Sequence, residues 1–127
     1  MSSEYIDGNV RAFTAGAAIA GDLRVKLSSG KLAAAGLADK ELGTIVVPAF
    51  ADGDVVGVRL RTANGTSRMV ASKAIAQGAA VYTAASGKIT DAATATGYLI
   101  GTALEAAGAD GDIIEVLRNS HGDTANP

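Results

Sequence analysis

Two aspartate-rich segments come closest to forming a chemical site in this chain. The sequence Ala-Asp-Gly-Asp stands at residues 51–54 and again at residues 109–112. Calcium takes six to eight oxygen ligands, usually from loops with several alternating acidic residues and a closing Glu. Here two carboxylates flank one glycine, and an apolar segment follows at once. We interpret both segments as turns in which Asp side chains accept hydrogen bonds from local backbone N–H groups, and we predict no metal site.

The other candidates for catalysis or ligand binding also have simpler explanations. His121 is the only histidine, and it lies in a polar tail where nothing would orient it or exclude water. Ser-Gly-Lys, at residues 29–31 and 86–88, lacks the upstream glycine and following helix of a phosphate loop, which predicts hairpin turns. Arg59, Arg61 and Arg68 have no interleaved aromatic residues on which bases could stack. We therefore predict no catalytic or cofactor-binding residue and no enzymatic activity.

Composition limits the partners of the chain. Its 127 residues include 11 basic and 13 acidic ones, for a net charge of −2, which favours neither nucleic acid nor a membrane surface. There is no cysteine and no apolar run long enough to span a membrane, so we expect a soluble protein. Hydrophobic residues make up 48% of the chain, but Ala dominates them and aromatics are only 4%. Such a thin core favours oligomerisation.

The short motifs recur in the same order along the chain. Ile-Ala-Gly at residues 19–21 returns as Ala-Gln-Gly at residues 76–78, and Ser-Gly-Lys follows in both places, at an offset of 57 residues. Leu-Gly-Thr at residues 42–44 returns as Ile-Gly-Thr at residues 100–102, and Ala-Asp-Gly-Asp follows in both places, at an offset of 58 residues. This pattern is typical of a supersecondary unit used twice. We predict two halves that share one hydrophobic core and superpose with their Ala-Asp-Gly-Asp turns coincident. The repeated residues are turn-formers and core-fillers, so the pattern describes a scaffold.

The elements that carry these motifs are predicted to be strands. Residues 22–27 and 55–62 alternate between apolar and polar side chains, and sixteen glycines against two prolines mark frequent turns. Asn64-Gly65 predicts a hairpin between residues 55–62 and 67–71, while residues 37–42 and 72–77 suggest short helical turns. The predicted fold is all-β: a compact β-barrel or sandwich of two pseudo-repeated halves with at most short helical turns.

The chain divides into three predicted segments. In residues 1–16 the apolar side chains follow neither a helical nor a strand period, which predicts an extended N-terminal arm. Residues 119–127 are predicted to form a flexible tail. Residues 17–118 form a single β-rich domain, with pseudo-repeats at about 17–62 and 72–118. The arm carries isolated apolar side chains that can become ordered against a partner's exposed strand edge. We predict that these side chains bind the partner, with Ile6 and Phe13 as the main anchors: Tyr5, Ile6, Val10 and Phe13.

An ordered set of phrases in the second half resembles a known family. These phrases are Gln-Gly-Ala-Ala-Val-Tyr (77–82), Ser-Gly-Lys-Ile-Thr (86–90), Tyr-Leu-Ile-Gly-Thr-Ala-Leu-Glu-Ala-Ala (98–107), Asp-Gly-Asp (110–112) and Ile-Glu-Val-Leu (114–117). Together they are similar to the capsid cement, or head decoration, proteins of tailed bacteriophages. The resemblance covers roughly residues 72–119 well and the first half less well.

The resemblance implies a structural virion protein on the outer surface of a phage head. It would be made in the host cytoplasm, bind the major capsid protein and stabilise the shell across capsomer boundaries, most often as a homotrimer. The alternative is a β-clip or lectin-like carbohydrate-binding module. Sugar sites favour exposed aromatic platforms, but the chain has no Trp, and Tyr82 and Tyr98 stand in predicted strands where burial is expected.

Overall fold

The computed structural model describes residues 9–118, which form ten short strands and no α-helix. The one helical element among them is a 3-10 turn at Ala85–Gly87. The strands are β1 (Val10–Thr14), β2 (Arg24–Ser28), β3 (Lys31–Ala34), β4 (Gly43–Ile45), β5 (Val55–Leu60), β6 (Thr66–Val70), β7 (Ala80–Thr83), β8 (Ile89–Thr90), β9 (Leu99–Ala103) and β10 (Ile113–Arg118). The all-β fold predicted from the sequence is confirmed.

The strands form two five-stranded antiparallel sheets with the same strand order. The first sheet runs β1-β5-β4-β2-β3 and the second runs β6-β10-β9-β7-β8. We call residues 10–60 the first unit and residues 66–118 the second unit. Each strand of the first unit therefore has a counterpart five strands later in the chain.

The hydrogen bonds align the two units residue by residue. Ala15 N donates to Asp54 O, and Ala71 N donates to Asp112 O, both at 2.8 Å. Ala71 is thus the counterpart of Ala15, and Asp112 is the counterpart of Asp54. Ile19 forms an isolated bridge with Ala49, and Ile75 forms the equivalent bridge with Ala107. Ile19 therefore corresponds to Ile75, so the predicted match of residues 19–21 with residues 76–78 is wrong by one position.

Each sheet curls until its first strand approaches its last. In the first unit, Ala15 forms a parallel bridge with Leu32, and in the second unit Ala71 does so with Ile89. Buried β-branched and aliphatic side chains then fill the space enclosed by each sheet. The cluster of the first unit contains Ala15, Ile19, Val25, Leu32, Ile45, Ala49, Val56 and Val58. The cluster of the second unit contains Met69, Ala71, Ile75, Val81, Ile89, Ile100, Ala103, Ala107, Ile114 and Val116.

The prediction of one shared core is wrong. Each hydrophobic cluster draws its buried residues from a single unit. Because each sheet curls around its own apolar face, no large apolar surface is left to join the units. Charged side chains and the backbone hydrogen bond from Gly87 N to Ala35 O (2.7 Å) make the junction instead.

Two local predictions also fail. Asn64-Gly65 lies between β5 and β6, but these strands do not pair, because β5 is already flanked by β1 and β4 while β6 pairs with β10. The segment is a connection between the sheets. Residues 37–42 and 72–77 contain no helical turn, since Leu42 N and Ile75 N donate to carbonyls of neighbouring strands and loops.

The sequence placed the boundary between arm and domain after residue 16. In the structure, Val10–Thr14 is already β1 and pairs with β5 along its whole length. Residues 1–8 and the predicted tail lie outside the described residues.

Candidate functional site

The two Ala-Asp-Gly-Asp segments are turns closed by their second aspartate. Asp54 accepts hydrogen bonds from the backbone N–H groups of Phe50 (2.8 Å) and Ala51 (3.1 Å). Asp112 accepts from Gly108 (2.7 Å) and Ala109 (3.1 Å) in the same way. The glycines take φ of 96° and 95°, a conformation that favours glycine. The turn interpretation is confirmed, and these carboxylates are used by the fold.

The lysines of the Ser-Gly-Lys segments also serve these turns. Lys31 pairs with Asp52 at 2.8 Å, and Lys88 pairs with Asp110 at 2.7 Å. In each unit the lysine follows the hairpin turn and reaches the first aspartate of the Asp-Gly-Asp turn. Among residues 9–118, no three His, Cys, Asp or Glu side chains cluster so as to hold a metal ion.

Several exposed apolar side chains lie in and beside the Asp-Gly-Asp turn of the first unit. Phe50 is 81% exposed and Val55 is 69% exposed. Val46 and Val47 extend the surface along the segment that precedes the turn, and both are about half exposed. We call Val46, Val47, Phe50 and Val55 the apolar rim. Exposed clusters of this kind mark contact surfaces.

The second unit forms the same turn with two of the four rim residues replaced. The hydrogen-bond alignment places Glu105 opposite Val47 and Gly108 opposite Phe50. The same turn therefore forms with a carboxylate and a glycine where the first unit exposes valine and phenylalanine. Because both turns have the same backbone hydrogen bonds, the turn itself requires neither Val47 nor Phe50, whereas the exposed Val55 has an exposed apolar counterpart in Ile113.

The predicted partner-binding residues are only partly covered by the structure. Tyr5 and Ile6 lie outside the described residues. Val10 is exposed on β1, which is the terminal strand of its sheet. Phe13 is partly buried against the cluster of the first unit and has Arg11 stacked 4.5 Å above its ring. Phe13 occupies the position of the buried Met69 in the second unit, so the structure gives it a role in packing.

The two units meet through a buried network of charged side chains. Arg24 is 0% exposed and Glu41 is 5% exposed. Arg24 Nη1 lies 3.3 Å from Glu41 Oε1, and Arg118 Nη1 lies 2.6 Å from Glu41 Oε2. Arg24 also donates to the backbone carbonyls of Ala84 (2.6 Å) and Lys88 (3.0 Å) in the second unit. We call Arg24, Glu41 and Arg118 the junction network.

Electrostatics keeps the junction network charged. Burial by itself would raise the pKa of Glu41, but the adjacent Arg118 and Arg24 outweigh that effect and hold the pKa below its ordinary value. Burial lowers the pKa of Arg24, and Glu41 opposes this shift. The carboxylate therefore stays ionised between two guanidinium groups. Sequence reasoning missed this network, because none of the three residues belongs to a recognisable motif.

A groove of about 750 Å³ runs along the outside of the junction. One of its walls carries the ion pair between Asp22 and Arg68, whose charged atoms lie 3.2 Å apart. Burial raises the pKa of Asp22, and Arg68 counteracts that rise. Asp22 takes φ of 65° and Gly78, its counterpart, takes 86°. The aspartate therefore accepts a strained backbone where the second unit uses glycine, and its carboxylate ties the two units together.

A comparison with protein families identifies the family of the chain. Residues 7–118 match the family model described as phage cement protein. The chain belongs to the phage cement protein family. No curated protein sequence matches the chain.

Membership of this family assigns a structural role on the phage capsid and a location in the virion, and it argues against catalysis. Within the described residues, no helix is long and apolar enough to cross a membrane. The all-β fold and the resemblance seen in the second half agree with the match, which extends over both units.

Proposed function

We propose that this protein decorates the outer surface of a phage head and stabilises it by bridging neighbouring capsid subunits. Family membership supports the capsid as the site of action. The observation that carries the proposal is the apolar rim, whose Phe50 and Val47 are exposed in the first unit but replaced by glycine and glutamate in the second, although both units have the same turn. A bound cement protein buries such a surface against the shell, and each subunit boundary that it spans becomes harder to separate.

In this proposal Phe50 is the central contact with the major capsid protein. Its side chain is 81% exposed, and full burial of a phenylalanine contributes about 1.5–3 kcal/mol. Val47 and Val55 flank it and would exclude water from the contact. The Asp-Gly-Asp turn holds these residues on a rigid backbone, so little conformational entropy is lost on binding.

The N-terminal segment is the second proposed contact. Tyr5 and Ile6 are apolar residues that precede β1, and Val10 is exposed on that strand. An extended segment that continues from a terminal strand is suited to pairing with a strand edge on the shell. Phe13 is assigned to the core of the first unit and not to this contact.

We also propose that the working state is a homotrimer built from an internally repeated chain. The number three comes from the family resemblance. The equal strand order of the two units supports the internal repeat, and the single β domain then extends from β1 to β10. A small protein with two thin cores gains stability from association with other copies.

The experiment is co-sedimentation of purified protein with capsids that lack it. Phe50→Ser should weaken capsid binding by roughly 10- to 100-fold, which corresponds to the lost burial. Leu117→Ser is the matched control, since Leu117 is an exposed apolar strand residue of the second unit outside the rim. Circular dichroism should show that both variants are folded. Equal binding of Phe50→Ser and wild type would refute the proposed contact.

A further inference from the structure

The junction between the units uses two different faces. The first unit contributes the face that carries Leu23, Arg24 and Glu41, which we call face A. The second unit contributes the face that carries its hairpin turn and Arg118, which we call face B. Gly87 in that turn is packed so tightly that an added Cβ would lie 2.9 Å from Arg24 O. Each unit contains both faces by strand correspondence, so one face A and one face B are left over in every chain.

The unused face B of the first unit is open. Gly30 is the counterpart of Gly87 in an equivalent turn, but an added Cβ would meet no atom within 4 Å. Leu27 is the counterpart of Thr83, which is fully buried and donates to Leu37 O across the junction. Leu27 itself is 49% exposed. The position that the junction buries in the second unit is thus exposed in the first unit, where it carries an apolar side chain.

The unused faces carry no charge at the positions that correspond to the junction network. On face A of the second unit, alanine and leucine stand at the positions of Arg24 and Glu41. On face B of the first unit, leucine stands at the position of Arg118. The corresponding pairs are Arg24 and Ala80, Glu41 and Leu99, and Arg118 and Leu60.

This joint replacement is what a second junction would require. A buried ion pair needs all of its partners, because losing one leaves an uncompensated buried charge, whereas replacing the whole set by apolar residues avoids that cost. The exposed leucine on face B also favours a partner, since Leu27 is 49% exposed where its counterpart Thr83 is fully buried. Contact between the two unused faces would bury Leu27, Leu60 and Leu99, none of which carries a charge.

We propose that copies of this protein associate head to tail, with face A of the second unit of one copy seated on face B of the first unit of the next. The proposal gives the surfaces for the self-association stated under Proposed function, and it rests on that function for the role of the assembly. The interface joins two different surfaces, so it must either close into a ring or continue as a chain of copies.

Cross-linking tests the pairing of the two faces directly. The chain has no cysteine, so Ser29→Cys on face B and Ala80→Cys on face A introduce the only thiols, both at exposed positions. A short bis-maleimide should join the double variant into multimers, free in solution or on capsids. A mixture of the two single variants should give one dimer, and neither single variant should cross-link alone. Cross-linking of a single variant to itself, or none of the double variant in either setting, would overturn the proposal.

Sedimentation velocity provides the second measurement. Leu27→Glu should raise the dissociation constant for self-association at least tenfold. Leu117→Glu is the matched control, because Leu117 is also 49% exposed, and it should leave association unchanged. An unchanged constant for Leu27→Glu would contradict the proposal. Self-association that appears only after deletion of residues 2–8 would also contradict the proposal. In that case the N-terminal segment of the same chain, and not a second copy, would occupy face B.

Capsid binding separates the two proposals. Phe50→Ser should lose capsid binding and keep its self-association. Leu27→Glu should lose self-association and keep the capsid contact that the apolar rim makes. If Leu27→Glu associates like wild type while Phe50→Ser still fails to bind capsids, the head-to-tail interface is wrong and the capsid contact stands. The opposite pattern leaves the interface standing and refutes the capsid contact.

Discussion

Arg118 Nη1 donates a hydrogen bond of 2.6 Å to Glu41 Oε2, which ties the last strand of the second unit to the segment before β4 of the first unit. The two residues are far apart in the chain. Because each unit has its own hydrophobic cluster, this contact and those of Arg24 hold together two bodies that would otherwise be joined by little apolar surface. The stability of the whole domain therefore depends on a few charged groups.

Removing the central carboxylate should be costly. Glu41→Leu leaves two buried guanidinium groups without their partner, and we expect a loss of about 3–5 kcal/mol in the free energy of unfolding. Adding Arg118→Leu should recover at least about 1 kcal/mol relative to the sum of the two single effects, because it removes one of the stranded charges. Urea unfolding of the four variants measures both values. Simple additivity would show that the two residues do not interact.

Acid should weaken the junction through Glu41. Its pKa is held below the ordinary value of 4.5 in the folded protein, so the unfolded chain binds more protons between these two values. The stability that Glu41 contributes is therefore complete above about pH 4.5 and is lost as the pH falls through the folded-state pKa.

The comparison of wild type with Glu41→Gln isolates this contribution. Asp22, whose raised pKa acts in the opposite direction, is present in both proteins and cancels. The difference in unfolding free energy should be largest at neutral pH and should shrink as the pH falls below about 4.5. A difference that stays constant down to about pH 2.5 would contradict the assignment.

The second aspartate of each turn should matter more than the first. Asp54 and Asp112 each accept two backbone hydrogen bonds, and replacing either with Ala should cost about 1–2 kcal/mol. Asp52→Ala is the control, since it removes only an exposed ion pair and should change stability by less than about 0.5 kcal/mol. Thermal unfolding of the three variants gives the ranking. Equal losses for Asp52 and Asp54 would argue against the turn mechanism.

Two corresponding glycines allow paired neighbouring strands to approach each other closely. An added Cβ at Gly43 would lie 2.1 Å from Arg59 O, and one at Gly101 would lie 1.9 Å from Leu117 O. Both oxygens belong to backbone, which cannot move aside cheaply. Ala at either position should cost more than about 3 kcal/mol, measured by urea unfolding. Gly21→Ala, whose Cβ would have ordinary contacts of 3.7 Å or more, should be within about 1 kcal/mol of wild type.

Local chemistry made much of this protein predictable. Alternating apolar residues at 22–27 indicate a strand, and turn residues such as Ser29-Gly30 force the chain to reverse, because their backbone conformations are set by the residues themselves. The Asp-Gly-Asp turns were predicted for the same reason, since the hydrogen bonds of Asp54 reach only three or four positions along the chain. The order of these motifs also carried the family resemblance.

Pairing over long distances could not be read in this way. Asn64-Gly65 has the composition of a hairpin turn, yet β6 joins a different sheet because both edges of β5 are already occupied. The two separate clusters, the burial of Arg24 and the contact of Glu41 with Arg118 likewise depend on how each sheet curls. The exposure of Phe50 is a tertiary property too, since it depends on which surfaces the curled sheet leaves uncovered. The sequence determined the turns and strands, whose causes lie within a few residues; the tertiary structure decided which strands pair, which charges are buried and which apolar side chains remain in contact with water.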